Sequence, residues 1–174
     1  APAADVSIPL YDRHKIDISI LRDYYYGLLM SEVMIHADAM FDAETKWRLT
    51  LRQMVGAGSG HHTARSAYQL SRMGVSAEDI KAIFAPSYTE TLQNPRLKAA
   101  FTFVDVASSY PSTASADLHG LLRKNYTDRQ IAELMQLVAI KNASATHDAG
   151  LPITTDQETV DWASTNLADV GWTL

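Results

Sequence analysis

The chain of 174 residues contains no cysteine. That absence removes disulfides, thiolate-ligated zinc and every reaction that runs through a thiolate nucleophile or a redox dithiol, so peroxidase and disulfide reductase activity are excluded. It leaves the compartment open, because thiol-free chains occur on both sides of a membrane. Long apolar runs are absent too. The most apolar stretch, Ile18 to Met40, is broken by Arg22, Asp23, Glu32, His36 and Asp38, whereas a membrane helix needs roughly 18 consecutive apolar residues. Positive charge is in deficit, with 15 Lys and Arg against 20 Asp and Glu and a net charge of -5. No basic patch is available to neutralise phosphates. Neither a membrane nor a nucleic acid is an expected partner. The Gly-rich dinucleotide and Walker-type loops and the Gly-x-Ser-x-Gly elbow are missing as well.

What is present is the composition of an ordinary globular domain, 47% apolar and 20% charged, patterned for helices. Residues 1–16 hold Pro2 and Pro9 without helical period and read as an extended arm. Residues 17–174 read as a single helical domain. From Asp17, Ile18, Leu21, Tyr25, Leu28 and Leu29 recur at three and four, and a second helical stretch runs near Ser31 to Phe41, with Gly27 dividing the two. The consecutive Tyr24, Tyr25 and Tyr26 point three ways on a helix and read as packing. Asp42 caps a helix with Trp47, Leu51, Met54 and Val55 on one face, and the run Gly56 to Gly60 breaks it. A new helix starts near Gly60 to His62 and ends at Gly74. Ser76, followed by Glu78 and Asp79, opens the next. Asn94-Pro95 begins a helix with Leu97, Phe101 and Val104 on one face, closed by Tyr110-Pro111. A short helix spans 113–124. Thr127-x-x-Gln130 forms a capping box before Ile131, Leu134, Met135 and Val138, in a helix that Pro152 stops, and Thr155-x-x-Glu158 caps the last helix. No strand, repeat or low-complexity tract is evident.

Without cysteine, acid–base and nucleophilic chemistry falls to His, Asp, Glu, Tyr, Ser, Thr and Lys. One segment concentrates such residues beside special backbone: Gly58-Ser59-Gly60-His61-His62-Thr63. Glycines let backbone N–H groups face a ligand, and a helix start adds unpaired donors. A histidine there is held neutral near pH 7 and is available as base or hydrogen-bond donor. The plain alternative is a tight helix–helix link followed by two polar first-turn residues. On a helix His61 shares a face with Arg65 and Tyr68, and His62 with Ser66 and Gln69, so the rings diverge by about 100° and either one could face a pocket. His36, His61, His62 and His147 offer metal ligands in principle, but no His-x-x-x-His or Glu-x-x-His pattern occurs and no metal is expected. His147 precedes Asp148, which suits orientation by a carboxylate or capping of a helix end.

The segment from Ala67 to Ile80, Ala-Tyr-Gln-Leu-Ser-Arg-Met-Gly-Val-Ser-Ala-Glu-Asp-Ile, together with Met54-Val55-Gly56 and the later Tyr126 to Leu134, resembles the carboxymuconolactone decarboxylase and alkyl hydroperoxidase D-like family over about residues 42–150. The resemblance implies an all-α, single-domain helical bundle of the alkyl hydroperoxidase D-like type, with about 7–8 helices, assembled as a homo-oligomer. In the redox branch a Cys-x-x-Cys and a following His would fall at Ser59, His62 and Ser66, and none is retained. The decarboxylase-like branch places a Glu and a His near positions 62 and 66, and neither stands there. An upstream family Glu falls close to Trp47, which leaves Glu44 as an imperfect substitute.

The reading that follows is a thiol-independent, cofactor-free acid–base enzyme of this family, acting on a small organic acid, lactone or carbonyl compound as a decarboxylase, isomerase or lyase. His62 is the candidate base, with His61 and Ser59 as further catalytic candidates. Gly58, Gly60, Ser66, Glu44 and His147 are candidates for substrate binding. The first alternative is a non-catalytic small-molecule-binding or assembly member of the same fold, and the second a His-ligated metal-dependent lyase or hydrolase. A start at Ala1-Pro2 without Met favours a cytoplasmic protein after Met removal and leaves export after signal-peptide cleavage open.

Overall fold

A computed structural model describes residues 34–108, 115–150 and 154–174, together with Gly27, Met30 and Ser31. The arm at 1–16, the helix expected from Asp17, the three tyrosines, Tyr110-Pro111 and Pro152 lie outside the described residues. Gly27, Met30, Ser31, Met34 and Ile35 are helical, so Gly27 is part of a helix and not a break. The expected helix does not run to Phe41. It stops at Ile35, and residues 37–41 form an irregular turn.

Eight α-helices and one short 3-10 helix follow among the described residues, with no strand. They are α1 (Ala43–Ala57), α2 (Gly60–Arg72), α3 (Ala77–Ala82), α4 (Tyr88–Thr91), α5 (Pro95–Ala107), α6 (Ala116–Asn125), α7 (Asp128–Gly150) and α8 (Gln157–Asn166), then the 3-10 turn Ala168–Val170. Local side-chain caps set most of the starts. Asp42 accepts the Thr45 N–H, Ser59 that of His62, Ser76 that of Asp79, and Asn94 those of Arg96 and Leu97. Thr127 and Gln130 make the reciprocal box. The last helix departs from expectation: Asp156, not Thr155, caps α8 by accepting the Thr159 N–H. Asp can serve at that position as well as Thr, and the Thr155 hydroxyl instead meets His61.

Helix α1 organises the bundle because three of its faces are covered, by α2, α7 and α5. Leu49 joins a core with Ala100, Phe101, Val104, Leu122, Leu134 and Leu137, built from α5, α6 and α7. Leu51, two residues on and therefore about 200° round the helix, joins a second core with Ala67, Leu70, Ile80, Ile83 and Ala163 from α2, α3 and α8. Tyr88 packs against both. Met135, expected on the core face of α7, is instead exposed. A third stripe of α1 carries Lys46, Thr50 and Gln53, all buried although polar. Their spacing of four and three places them on one line along the helix, and that line faces the interior.

Candidate functional site

The link between α1 and α2 is built by its own backbone. Gly58 takes a left-handed conformation, φ +69°, which favours glycine. Its N–H donates to the carbonyl of Val55 at 3.2 Å, and the N–H of Ser59 donates to that of Met54 at 3.1 Å. These bonds close the C-terminus of α1. Gly60 is needed for a different reason: a Cβ there would lie 2.2 Å from the carbonyl oxygen of Thr173, and Trp172 donates its indole N–H to the Gly60 carbonyl at 2.9 Å. The backbone cradle expected at Gly58 to Gly60 is thus partly engaged within the fold. The first two of its amides are taken by α1, and residues 173–174 lie over Gly60. Ser59 serves as the cap of α2.

From that start, α2 turns its two histidines apart as the helical geometry requires. His61 is half-buried, with Nδ1 2.8 Å from the Thr155 hydroxyl at the entry to α8. His62 points inward and is 9% exposed. The rings meet edge to face with centroids 4.9 Å apart. Burial, reinforced by the positive charges of Lys141, His61, Arg65 and His36, pushes the His62 imidazole down to about 2. It is neutral throughout the range in which enzymes work. Ser66, one turn along on the same face, is buried.

His62 is not set in apolar surroundings. Lys141, on α7, is 1% exposed, with its ammonium 6.0 Å from the centroid of the Trp47 ring. His36 lies flat on Trp47, with centroids 3.7 Å apart and planes 12° from parallel, and its Nε2 is 3.0 Å from the Thr50 hydroxyl. Beyond Thr50, Gln53 donates from Nε2 to the Val138 carbonyl and to Asn142 Oδ1, each at 2.8 Å. Asn142 in turn donates to the Ala107 carbonyl at 3.3 Å. This fixes the orientation of the Gln53 amide and leaves its Oε1 buried with no hydrogen bond among the described residues. Together these groups form a polar seam where α1, α2 and α7 meet the segment ending at His36.

Of the remaining candidates, Glu44 pairs with Arg48 on the next turn at 2.8 Å, with its side chain 45% exposed. His147 is half-buried in the last turns of α7. The chief omission of the sequence reading is the trio His36, Trp47 and Lys141 as one cluster. The buried line Lys46, Thr50, Gln53 was a signal that could have revealed it, since polar residues at helical spacing inside a packed helix need partners. Among the described residues no group of three or more His, Asp and Glu is placed to hold a metal ion.

A cavity of about 500 Å³ opens elsewhere, lined by Arg52, Val55, Phe84, Pro86, Val104 and Asp105 among others. Its polar wall is fully engaged. Arg52 donates to Asp105 at 2.6 Å and to the carbonyls of Ile83, Ala85 and Pro86, and Asp105 also accepts from Thr89 at 2.7 Å.

No family model and no curated protein matches the chain. Solved structures that share its fold include the debrominase Bmp8 in its apo form and a cysteine-to-alanine variant of Bmp8 in complex with 2,3,4-tribromopyrrole. Each superposes with a TM-score of 0.74 at 17% identity over 88% of this chain, covering 80% of the apo chain and 79% of the complexed one. The bundle is of the alkyl hydroperoxidase D-like type. At that identity the likeness speaks for the fold alone.

Proposed function

We propose that the chain is a thiol-independent, cofactor-free enzyme that acts on a small organic acid, lactone or carbonyl compound in a decarboxylase, isomerase or lyase reaction, with its chemistry at the polar seam around His62. The observation that carries this reading is the burial of His62, Lys141 and His36, close enough for the charges of the latter two to act on His62, in a bundle that shares the fold of a debrominase solved with a small organic molecule. Ionisable groups are rarely placed in a core for stability's sake. Whatever the cysteine altered in the Bmp8 complex contributes there, this chain has no cysteine to supply it.

The role of His62 differs from that of the base expected from sequence. An imidazole at about 2 is a weak proton acceptor at pH 7, because general bases work best near the operating pH. A neutral imidazole in a dry site is suited instead to donating a hydrogen bond to a carbonyl or enolate oxygen, as in enzymes that hold a histidine neutral to polarise a substrate. His62 therefore sets no acid limb in the activity profile between pH 5 and 8.

Turnover of a panel of small acids, lactones and ketones tests the proposal. His62→Ala should lower kcat by about 10²- to 10³-fold, the range for loss of one aligned donor. His119→Ala, exposed on α6, should leave kcat unchanged. Wild-type turnover in His62→Ala would sink the catalytic assignment. The weak basicity of His62 and the engaged amides of Gly58 and Ser59 favour one second reading, a binding member of the fold. In that case His62→Ala weakens ligand affinity while no turnover is found in either protein. The exposed Met30, Met34 and Met40 give apolar surface to the homo-oligomer we also propose.

A further inference from the structure

The irregular turn at 37–41 follows directly on His36, and such backbone lacks the regular hydrogen-bond ladder that holds a helix in place. Two side chains from distant parts of the chain grip its two ends. Lys46 on α1 donates from Nζ to the Ala37 carbonyl at 2.6 Å. Glu133 on α7 accepts the Phe41 N–H through Oε2 at 3.2 Å. The same side chains pair with each other through Glu133 Oε1, with Lys46 2% and Glu133 13% exposed. Phe41 is anchored beyond the turn by its ring against Tyr126, centroids 5.3 Å apart.

For stability alone, an apolar pair of similar volume would often serve as well as a buried ion pair or better. What an apolar pair lacks is the ability to hold a backbone carbonyl and a backbone N–H at once. We propose that Lys46 and Glu133 are positioning residues that fix the 37–41 turn so that His36 lies on Trp47 and reaches Thr50, setting the second histidine of the seam. The inference rests on reading the seam as the working site. Its test observes the His36 ring itself and needs no substrate.

The measurement is the Hε1 signal of His36 in ¹H–¹³C NMR spectra, assigned by its loss in His36→Gln. A ring stacked on an indole lies in the indole's shielding region, so the wild-type signal should sit upfield of that of exposed His119. In the double variant Lys46→Met/Glu133→Leu, which strands no charge but releases the Ala37 carbonyl and the Phe41 N–H, the His36 signal should move downfield toward that of His119. In Lys46→Met/Glu133→Gln, where a polar group still faces the Phe41 N–H but the hold on Ala37 is lost, the signal should move the same way by less. Asp105→Asn, which weakens the distant Arg52 contact, should lower stability without moving His36. An unchanged His36 signal in whichever double variant folds overturns the proposal. Failure of the catalytic reading shows itself separately, as wild-type turnover in His62→Ala.

Discussion

Helix α1 presents polar side chains to the molecule on two sides, and the two sides are used differently. Arg52 points toward α3, α4 and α5, where its guanidinium binds Asp105 and three carbonyls at the ends of neighbouring segments. There polarity is consumed in joining pieces of backbone, beside an open cavity. The opposite side carries Lys46, Thr50 and Gln53 into the interior, where they meet His36, Glu133 and α7. Around them stand a neutral histidine, a buried lysine and an amide oxygen with no hydrogen bond among the described residues. The difference shows that a cavity does not by itself mark a working site. A polar group acts most strongly on a ligand where water is kept from it, and in that respect the seam exceeds the cavity.

The sharpest way to break this comparison is to remove one partner of the buried pair. Lys46→Met leaves Glu133 buried and uncompensated and should destabilise the protein by about 3 kcal/mol in urea denaturation, the lower end for buried pairs. Asp105→Asn on the more open side should cost less than about 1 kcal/mol. Equal losses would mean that the two sides differ in appearance only.

Acid comes next in size. His62 is depressed from 6.5 to about 2 in the folded protein, so between those values the unfolded chain binds a proton that the folded chain refuses, and stability must fall as pH drops below about 6.5. The slope from this group approaches about 1.4 kcal/mol per pH unit. His62→Gln should remove about 2 kcal/mol of the stability lost between pH 7 and 5 in denaturation curves. An unchanged slope would place the His62 ring in contact with water.

The smallest expected effect belongs to Gln53. Gln53→Met removes two good hydrogen bonds and, with them, a buried acceptor that has no donor among the described residues. The opposing terms should leave stability within about 1 kcal/mol of wild type. A loss of about 3 kcal/mol would show that Oε1 is satisfied in solution.

The helices were legible where local chemistry decides them. Asp42, Ser59, Ser76, Asn94 and the Thr127–Gln130 box act over two or three residues, and a short window of sequence contains both partners. Thr155 misled because Asp156 beside it is an equally good cap, and the choice was made by His61, 94 residues away. The turn at 37–41 and α4 were not foreseen for the same reason: Phe41 is held by Glu133, 92 residues on, and no local pattern carries such a contact. Helical spacing from the Gly-rich link put His62 and Ser66 on one face of α2, and both are buried there. Glu44 was placed by analogy and pairs with Arg48. His36 was weighed only as a metal ligand, because its partners Trp47 and Thr50 become neighbours only once the chain turns back on itself.

Gly60 has one further consequence. Its demand for glycine is steric, since Thr173 occupies the space a side chain would fill, and the indole of Trp172 is tied to its carbonyl. The first turn of α2 is thus tied to a segment 112 residues further along the sequence, and the two are expected to gain and lose hydrogen-exchange protection together. His62 lies in that first turn, so the start of the helix that carries it is fixed by residues no local reading of the sequence would connect with it.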